Sequence, residues 1–267
     1  MARQTGPVST TLGARDGGIA AVAVSDIARR FGRRWALRGV SLHVEPGTIA
    51  ALVGHNGSGK TTLLRIIATT LRPTRGSGSV FGHDLVRDAN RVRDLVAVLG
   101  HTPGLYGDLT ARENLEFALR MSGRAPTRRD IDAALDRVGL AADANELVRT
   151  FSAGMQRRLA LARVILRGAR LILLDEPYAA FDADGIALVN GFLAEHKAAG
   201  GAAIVATHDP VRAAPVVDRF WAIDHGRVTP TEPALLLAAA AGRDPAAAFA
   251  ATGAIVAGHA DPKRAVL

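Results

Sequence analysis

Gly54-His55-Asn56-Gly57-Ser58-Gly59-Lys60-Thr61 decides how this chain is read. It matches G-x-x-x-x-G-K-[ST]. The apolar run Ile49–Val53 precedes it, and Lys60–Leu71 follows with Leu63, Leu64, Ile66, Ile67 and Leu71 near helical spacing. Strand, glycine loop and helix in that order make a phosphate cradle. Glycines let backbone N–H groups close around the negative charge, and the helix N-terminus adds the positive end of its dipole. Lys60 is then expected at the β- and γ-phosphates of ATP and Thr61 at Mg²⁺. Gly54, Asn56, Gly57, Ser58, Gly59 and Thr62 complete the nucleotide-binding surface. A glycine turn without a ligand is the plain alternative, and the strand-to-helix context argues against it.

Further along, Leu171-Ile172-Leu173-Leu174-Asp175-Glu176 is an apolar run ending in two carboxylates. Alone, such a pair is as readily a helix N-cap. Beside a phosphate loop it supplies the other half of a nucleotide–metal site, with Asp175 as a Mg²⁺ ligand and Glu176 polarising the attacking water.

Working outward, Ala21–Val24 and Val40–Val44 read as short strands. Helical patterns dominate from about residue 91 to 165, with Ala111–Met121, Arg128–Val138 and Gly154–Leu166 forming an inserted helical lobe. Leu171–Leu174, Ala183–Ala199 and Ala203–Ala206 have the order of a parallel βαβ crossover. The expected fold is therefore α/β: a P-loop nucleotide-binding domain over residues 21–228, with a mixed sheet core. Residues 1–20 read as a flexible leader without a secretory h-region. Residues 229–267 read as an Ala-rich appendage, interrupted by Pro230, Pro233, Pro245 and Pro262.

Composition narrows the class. With 48 % hydrophobic and only 4 % aromatic residues, the interior is built mainly from Ala, Val, Leu and Ile. No run reaches the roughly 18–20 apolar residues that span a bilayer. The chain has no cysteine, which excludes disulfides and fits a cytoplasmic setting. A formal charge of +8 includes the pairs Arg29/Arg30, Arg33/Arg34, Arg128/Arg129 and Arg157/Arg158, which are read as a solvated basic surface. Without interleaved aromatics beyond Phe31 and Trp35, no nucleic-acid partner is expected.

Phe151-Ser152-Ala153-Gly154-Met155-Gln156-Arg157-Arg158 resembles the L-S-G-G-Q signature of ABC ATPases, with Phe151, Ala153 and Met155 as departures. Pro177–Asp182 resembles the segment after the second carboxylate, including the D-loop, and Thr207-His208-Asp209 resembles the switch histidine. The resemblance implies that Ser152 and Gly154 bind the nucleotide held by a second ATPase subunit, in a face-to-face dimer. Asp182 would join that interface, His208 would act in catalysis, and Phe31 would stack on adenine, unless its ring is simply core.

Leu99-Gly100-His101-Thr102-Pro103-Gly104, followed by Leu109-Thr110-Ala111-Arg112-Glu113-Asn114-Leu115, places His101 where most such ATPases carry glutamine. This resembles the ATPases of the haem exporter of cytochrome c maturation, as does Leu174–Gly185. That likeness implies integral membrane partner subunits and a peripheral place on the cytoplasmic face of a bacterial inner membrane. No direct haem binding is expected, since the histidines form no C-x-x-C-H or paired arrangement in sequence. Another exporter of drug, lipid or polysaccharide stays open as the alternative. A soluble ATPase acting on ribosome or DNA is opposed by the single cassette, and a module without turnover by Glu176. An imidazole at His101 also puts a titratable group beside the attacking water. His101→Gln is expected to retain ATPase activity and flatten its acid-side decline, and superimposable pH–rate curves would remove His101 from the chemistry.

Overall fold

In the computed structural model, residues 18–125 and 127–232 are described. Residues 1–17 of the leader and 233–267 of the appendage lie outside them. The chain runs β1 (Val22–Phe31), β2 (Arg34–Val44), β3 (Ile49–Val53), α1 (Lys60–Ile67), β4 (Arg75–Val80), β5 (His83–Asp84), α2 (Ala89–Leu95) and β6 (Val96–Leu99). It continues through α3 (Ala111–Met121), α4 (Arg128–Arg137), α5 (Ala153–Arg167), β7 (Leu171–Asp175), α6 (Ala183–Ala198), β8 (Ala202–Thr207), α7 (Pro210–Ala213), β9 (Arg219–Asp224) and β10 (Arg227–Thr231).

An antiparallel sheet of order β2-β1-β4-β5 faces a six-stranded sheet of order β10-β9-β3-β8-β7-β6, in which all neighbours but β9 and β10 are parallel. Strands β3, β7 and β8 are buried along their whole length, as strands covered on both faces must be. Alternation along β7 divides the core. Leu171 and Leu173 pack with α1 and the antiparallel sheet, and Ile172 and Leu174 pack with α5 and α6. A third cluster, with Leu115, Leu135, Leu140 and Leu159 at its centre, holds the helical lobe together. Both α3 and α4 open with capping boxes, at Thr110/Glu113 and Thr127/Asp130, which sets their first residues.

Several boundaries differ from the sequence reading. The span read as helical from residue 91 contains β6, an outer strand of the main sheet, because Val96–Leu99 pairs with Leu171–Leu174. The glycine-rich stretch Arg75–Val80, given no element from sequence, is a strand. A Cβ at Gly76 would collide with the Asp26 backbone and one at Gly78 would lie 2.7 Å from Val24 Cγ1, so the glycines permit close approach to β1. Strand β10 continues past residue 228 to Thr231, with Pro230 tolerated on a sheet edge.

The α6–β8 turn carries a pH-sensitive element. The ring of His196 packs over Gly201 and Nε2 lies 3.2 Å from the Ala202 carbonyl oxygen. Burial lowers its pKa below 6.5, outweighing the backbone hydrogen bonds that raise it. A histidine with a depressed folded-state pKa takes up its proton more readily when unfolded. Stability is therefore full above the unfolded value and falls as pH drops through 6.5 toward the folded one. His196→Phe is expected to lose less Tm than the wild type between about pH 7.5 and pH 5.5. Parallel Tm–pH curves for the two proteins would refute this.

Candidate nucleotide site

Four loops meet at the C-terminal ends of adjacent parallel strands, where open α/β sheets place their ligands. The phosphate loop leaves β3, the carboxylates Asp175 and Glu176 close β7, Thr207-His208 closes β8, and His101 follows β6. The phosphate loop, the carboxylate pair and His101 line, with β1, β2 and the β9–β10 turn, a cavity of about 620 Å³, and His208 stands behind Glu176.

The loop keeps the form its glycines allow. A Cβ on Gly54 would lie 2.7 Å from Ser58 Oγ, and Gly57 and Gly59 have φ of 80° and 118°, a region that L side chains avoid. Gly59 caps α1 without a side-chain bond, leaving the first N–H groups of the helix for a ligand. Asn56, Gly57, Gly59, Lys60, Thr61 and Thr62 all line the cavity. Phe31 lines it too and is 49 % exposed, so its ring is not spent in the core. The Arg29 guanidinium sits 4.7 Å from its centroid.

Lys60 is buried, donating to the Gly54 carbonyl at 2.6 Å and the His55 carbonyl at 3.2 Å, with Glu176 Oε1 3.2 Å from its Nζ. Buried charges of opposite sign thus neutralise each other across the cavity. Glu176 has φ of 49°. A non-glycine residue pays of order 1 kcal/mol for this, and the surroundings must hold it there. The restraints are visible: Glu176 N donates to the Ala206 carbonyl at 2.8 Å, and Arg157 Nη2 donates to the Glu176 carbonyl at 2.6 Å. Its Oε2 lies 2.8 Å from His208 Nδ1.

Thr61 Oγ1 donates to Asp175 Oδ2 at 2.7 Å, so two hard oxygen donors stand side by side. Ser58 Oγ is buried without a hydrogen-bond partner, and Glu176 Oε1 has only the Lys60 ammonium beside it, out of hydrogen-bond geometry. A hydroxyl, a carboxylate and an orphaned oxygen beside a lysine and free helix N–H groups fit a magnesium–phosphate ligand.

Ser152, Gly154 and Asp182 do not line this cavity. Ser152 is the N-cap of α5, its Oγ accepting from Met155 N at 3.2 Å, and Gly154 lies in the first turn. Asp182 caps α6 through Gly185 N at 2.9 Å and stands 3.7 Å from Arg158 Nη2. Two of the three departures in the signature have packing roles, since Phe151 is buried in the lobe core and Met155 packs against it, while Ala153 is exposed.

One residue was misread from sequence. Arg157, taken as half of a solvated pair, is only 4 % exposed. Its Nη1 donates to the carbonyls of Gly100 at 2.6 Å and His101 at 3.3 Å, and its Nη2 to those of Asp175 at 2.8 Å and Glu176 at 2.6 Å. Desolvation pulls its pKa down, opposed by Asp175 and Glu176. It ties the His101 loop to the carboxylate pair. The sequence signal was its position in the first turns of an amphipathic helix, which the charge pattern masked.

The sequence profile described as ABC transporter matches residues 37–179, more than half of the chain. This chain belongs to the ABC transporter family. It is an ATP-binding ATPase subunit of that type. Among curated relatives, the "Cytochrome c biogenesis ATP-binding export protein CcmA" of Xanthomonas axonopodis pv. citri is 45 % identical over 69 % of this chain and 85 % of its own length. The protein of the same name from Bordetella bronchiseptica is 45 % identical over 66 % of this chain and 79 % of its own. The "Daunorubicin resistance ATP-binding protein DrrA3" of Streptomyces coeruleorubidus is 37 % identical over 78 % and 66 %. Among solved structures, the ATP-binding subunit of an ABC transporter superposes with TM-score 0.75 at 24 % identity, covering 87 % of this chain and 99 % of the other.

Proposed function

We propose that this chain is the ATPase of a haem exporter serving cytochrome c maturation, peripheral on the cytoplasmic face of a bacterial inner membrane and bound to integral membrane subunits. The observation that carries this is the 44–45 % identity, over 85 % of their length, to several relatives named for cytochrome c biogenesis export. The resistance protein is more distant, at 37 %. No helix among the described residues is long and apolar enough to cross a membrane.

The site supports this chemistry. Lys60 and the free N–H groups of α1 hold the phosphates, and Phe31 offers a face to adenine. When bound at Thr61 and Asp175, Mg²⁺ supplies charge neutralisation at the phosphate oxygens. Glu176 orients and deprotonates the attacking water while His208 fixes its second oxygen. Ser152 and Gly154, on a separate surface, serve the nucleotide of a second copy, with Asp182 nearby on the same interface.

Complementation tests the assignment. In a bacterium lacking its own cytochrome c biogenesis ATPase, the wild-type chain should restore c-type cytochromes and Glu176→Gln should not. Absence of c-type cytochromes despite membrane recruitment and ATP turnover would overturn the cargo assignment. Lys60→Ala is expected to weaken ATP binding at least about 100-fold, since charge-assisted phosphate contacts are the strong ones. Unchanged affinity by calorimetry would displace Lys60 from the phosphates.

A further inference from the structure

The β9–β10 turn carries Asp224 and His225 against His55, the second residue of the phosphate loop. In sequence the histidines are far apart and were read as unpaired; in the fold their ring centroids are 5.8 Å apart. Gly226 N donates to the Ser58 carbonyl at 2.9 Å, which fastens the turn to the loop. His225 and Gly226, with φ of 44° and 74°, form the two-residue turn between the paired Asp224 and Arg227, and this turn sets the His225 ring beside His55.

The polar contacts of His55 are informative. Its Nδ1 lies 2.7 Å from the Asn56 carbonyl oxygen and its Nε2 lies 3.1 Å from Asp224 Oδ1. Both partners can only accept. If Nδ1 donates to Asn56, a neutral ring turns a lone pair toward a carboxylate oxygen, which is repulsive unless a cation stands between them. On the other side of Asp224 Oδ1, His225 Nε2 lies at 3.8 Å, and the three donor atoms all fall within 4.8 Å of one another. Zinc–nitrogen and zinc–oxygen bonds of roughly 2.0–2.2 Å in tetrahedral geometry separate neighbouring donors by about 3.4 Å. The observed 3.1 and 3.8 Å lie on either side of that spacing.

We propose that His55, Asp224 and His225 form a binding site for a divalent transition-metal ion of the zinc class, with a fourth position left for water or ligand. Two imidazoles and one carboxylate are borderline donors, suited to Zn²⁺, Co²⁺ or Ni²⁺. Mg²⁺, which prefers all-oxygen octahedra, belongs instead at Thr61 and Asp175. All three residues are exposed, so an ion reaches them from solvent. His55 and His225 also line the nucleotide cavity, so the ion clips the phosphate loop to the β9–β10 turn. The inference stands on these side chains and not on the cargo assigned to the transporter.

The test is equilibrium dialysis of the full chain against ZnCl₂ with excess Mg²⁺ and no nucleotide. The expected result is one Zn²⁺ per chain, with affinity lowered at least roughly 10-fold in both His225→Ala and Asp224→Asn. His43→Ala, at a histidine paired only with Glu45, is expected to leave that uptake unchanged. Saturating Zn²⁺ should also raise the wild-type Tm by about 5 °C or more and raise the Tm of both variants clearly less. This confirms binding by a readout independent of activity. No stoichiometric uptake, or uptake insensitive to both substitutions, overturns the proposal.

Discussion

Glu176→Gln is expected to bind ATP normally and hydrolyse it at least about 100-fold more slowly than the wild type, the usual scale for losing a general base. The substitution keeps the shape and removes the charge. Phosphate binding rests on Lys60 and the α1 N-terminus, which are left in place, so the ground-state complex survives while the transition state loses its proton acceptor. An amide can accept from His208 Nδ1 only by turning its NH₂ toward Lys60, so the 3.2 Å ion pair is lost as well. Freed of that partner, Lys60 is more available to phosphate. ATP should therefore accumulate unhydrolysed, and with it a dimer closed over Ser152 and Gly154. Single-turnover kinetics and sizing in Mg-ATP measure the two effects. Wild-type turnover would remove Glu176 from the chemistry, and a variant still monomeric at saturating ATP would count against the two-subunit site.

Arg157→Ala is expected to destabilise the fold by about 3–5 kcal/mol, the upper end for a single substitution. For a domain of this size that is a Tm decrease of roughly 6–20 °C. Four backbone carbonyls on two segments lose a charged donor, and those of Asp175 and Glu176, in the buried half of the clamp, then carry their own desolvation cost. Arg157→Lys should recover less than half of the loss. A single ammonium cannot span Gly100 and Glu176 as the planar fork does. Thermal unfolding of both variants checks this, and a Tm within 2–3 °C of wild type for Arg157→Ala would show the clamp to be dispensable. The positive φ of Glu176 adds a consequence. Without the Arg157 bond to its carbonyl that conformation is less restrained, so activity should fall further than stability alone explains.

The nucleotide cradle was legible because it is local. The loop, its strand and its helix are contiguous, and the positive φ of Gly57 and Gly59 belongs to the loop itself, although the lack of room for a Cβ at Gly54 comes chiefly from the Ile223 backbone, distant in sequence. Helices α3 and α4 were placed almost to the residue, because their capping boxes write the start of the helix into the sequence. Strand β4 was not legible. Gly and Ser in Arg75–Val80 have the composition of a turn, and only the approach of β1 makes small residues a requirement of a strand.

Local chemistry and order along the chain thus determined the α/β fold, the ATP-binding loop, the carboxylate pair and the family. Each depends on neighbours in sequence or on motifs whose spacing carries the mechanism. What only the tertiary structure decided are the relations between distant segments. It showed that Arg157 is a buried clamp and not a solvated charge, and that Lys60 and Glu176 neutralise each other across the cavity. It also showed that Ser152 and Gly154 stand away from the chain's own phosphate loop. The meeting of His55 with Asp224 and His225 belongs to the same class. Periodicity and composition report which face a residue occupies. The partner on that face is set by the order in which β3, β8, β7, β6 and β9 pair, and that order follows from how the buried faces of the whole sheet are covered.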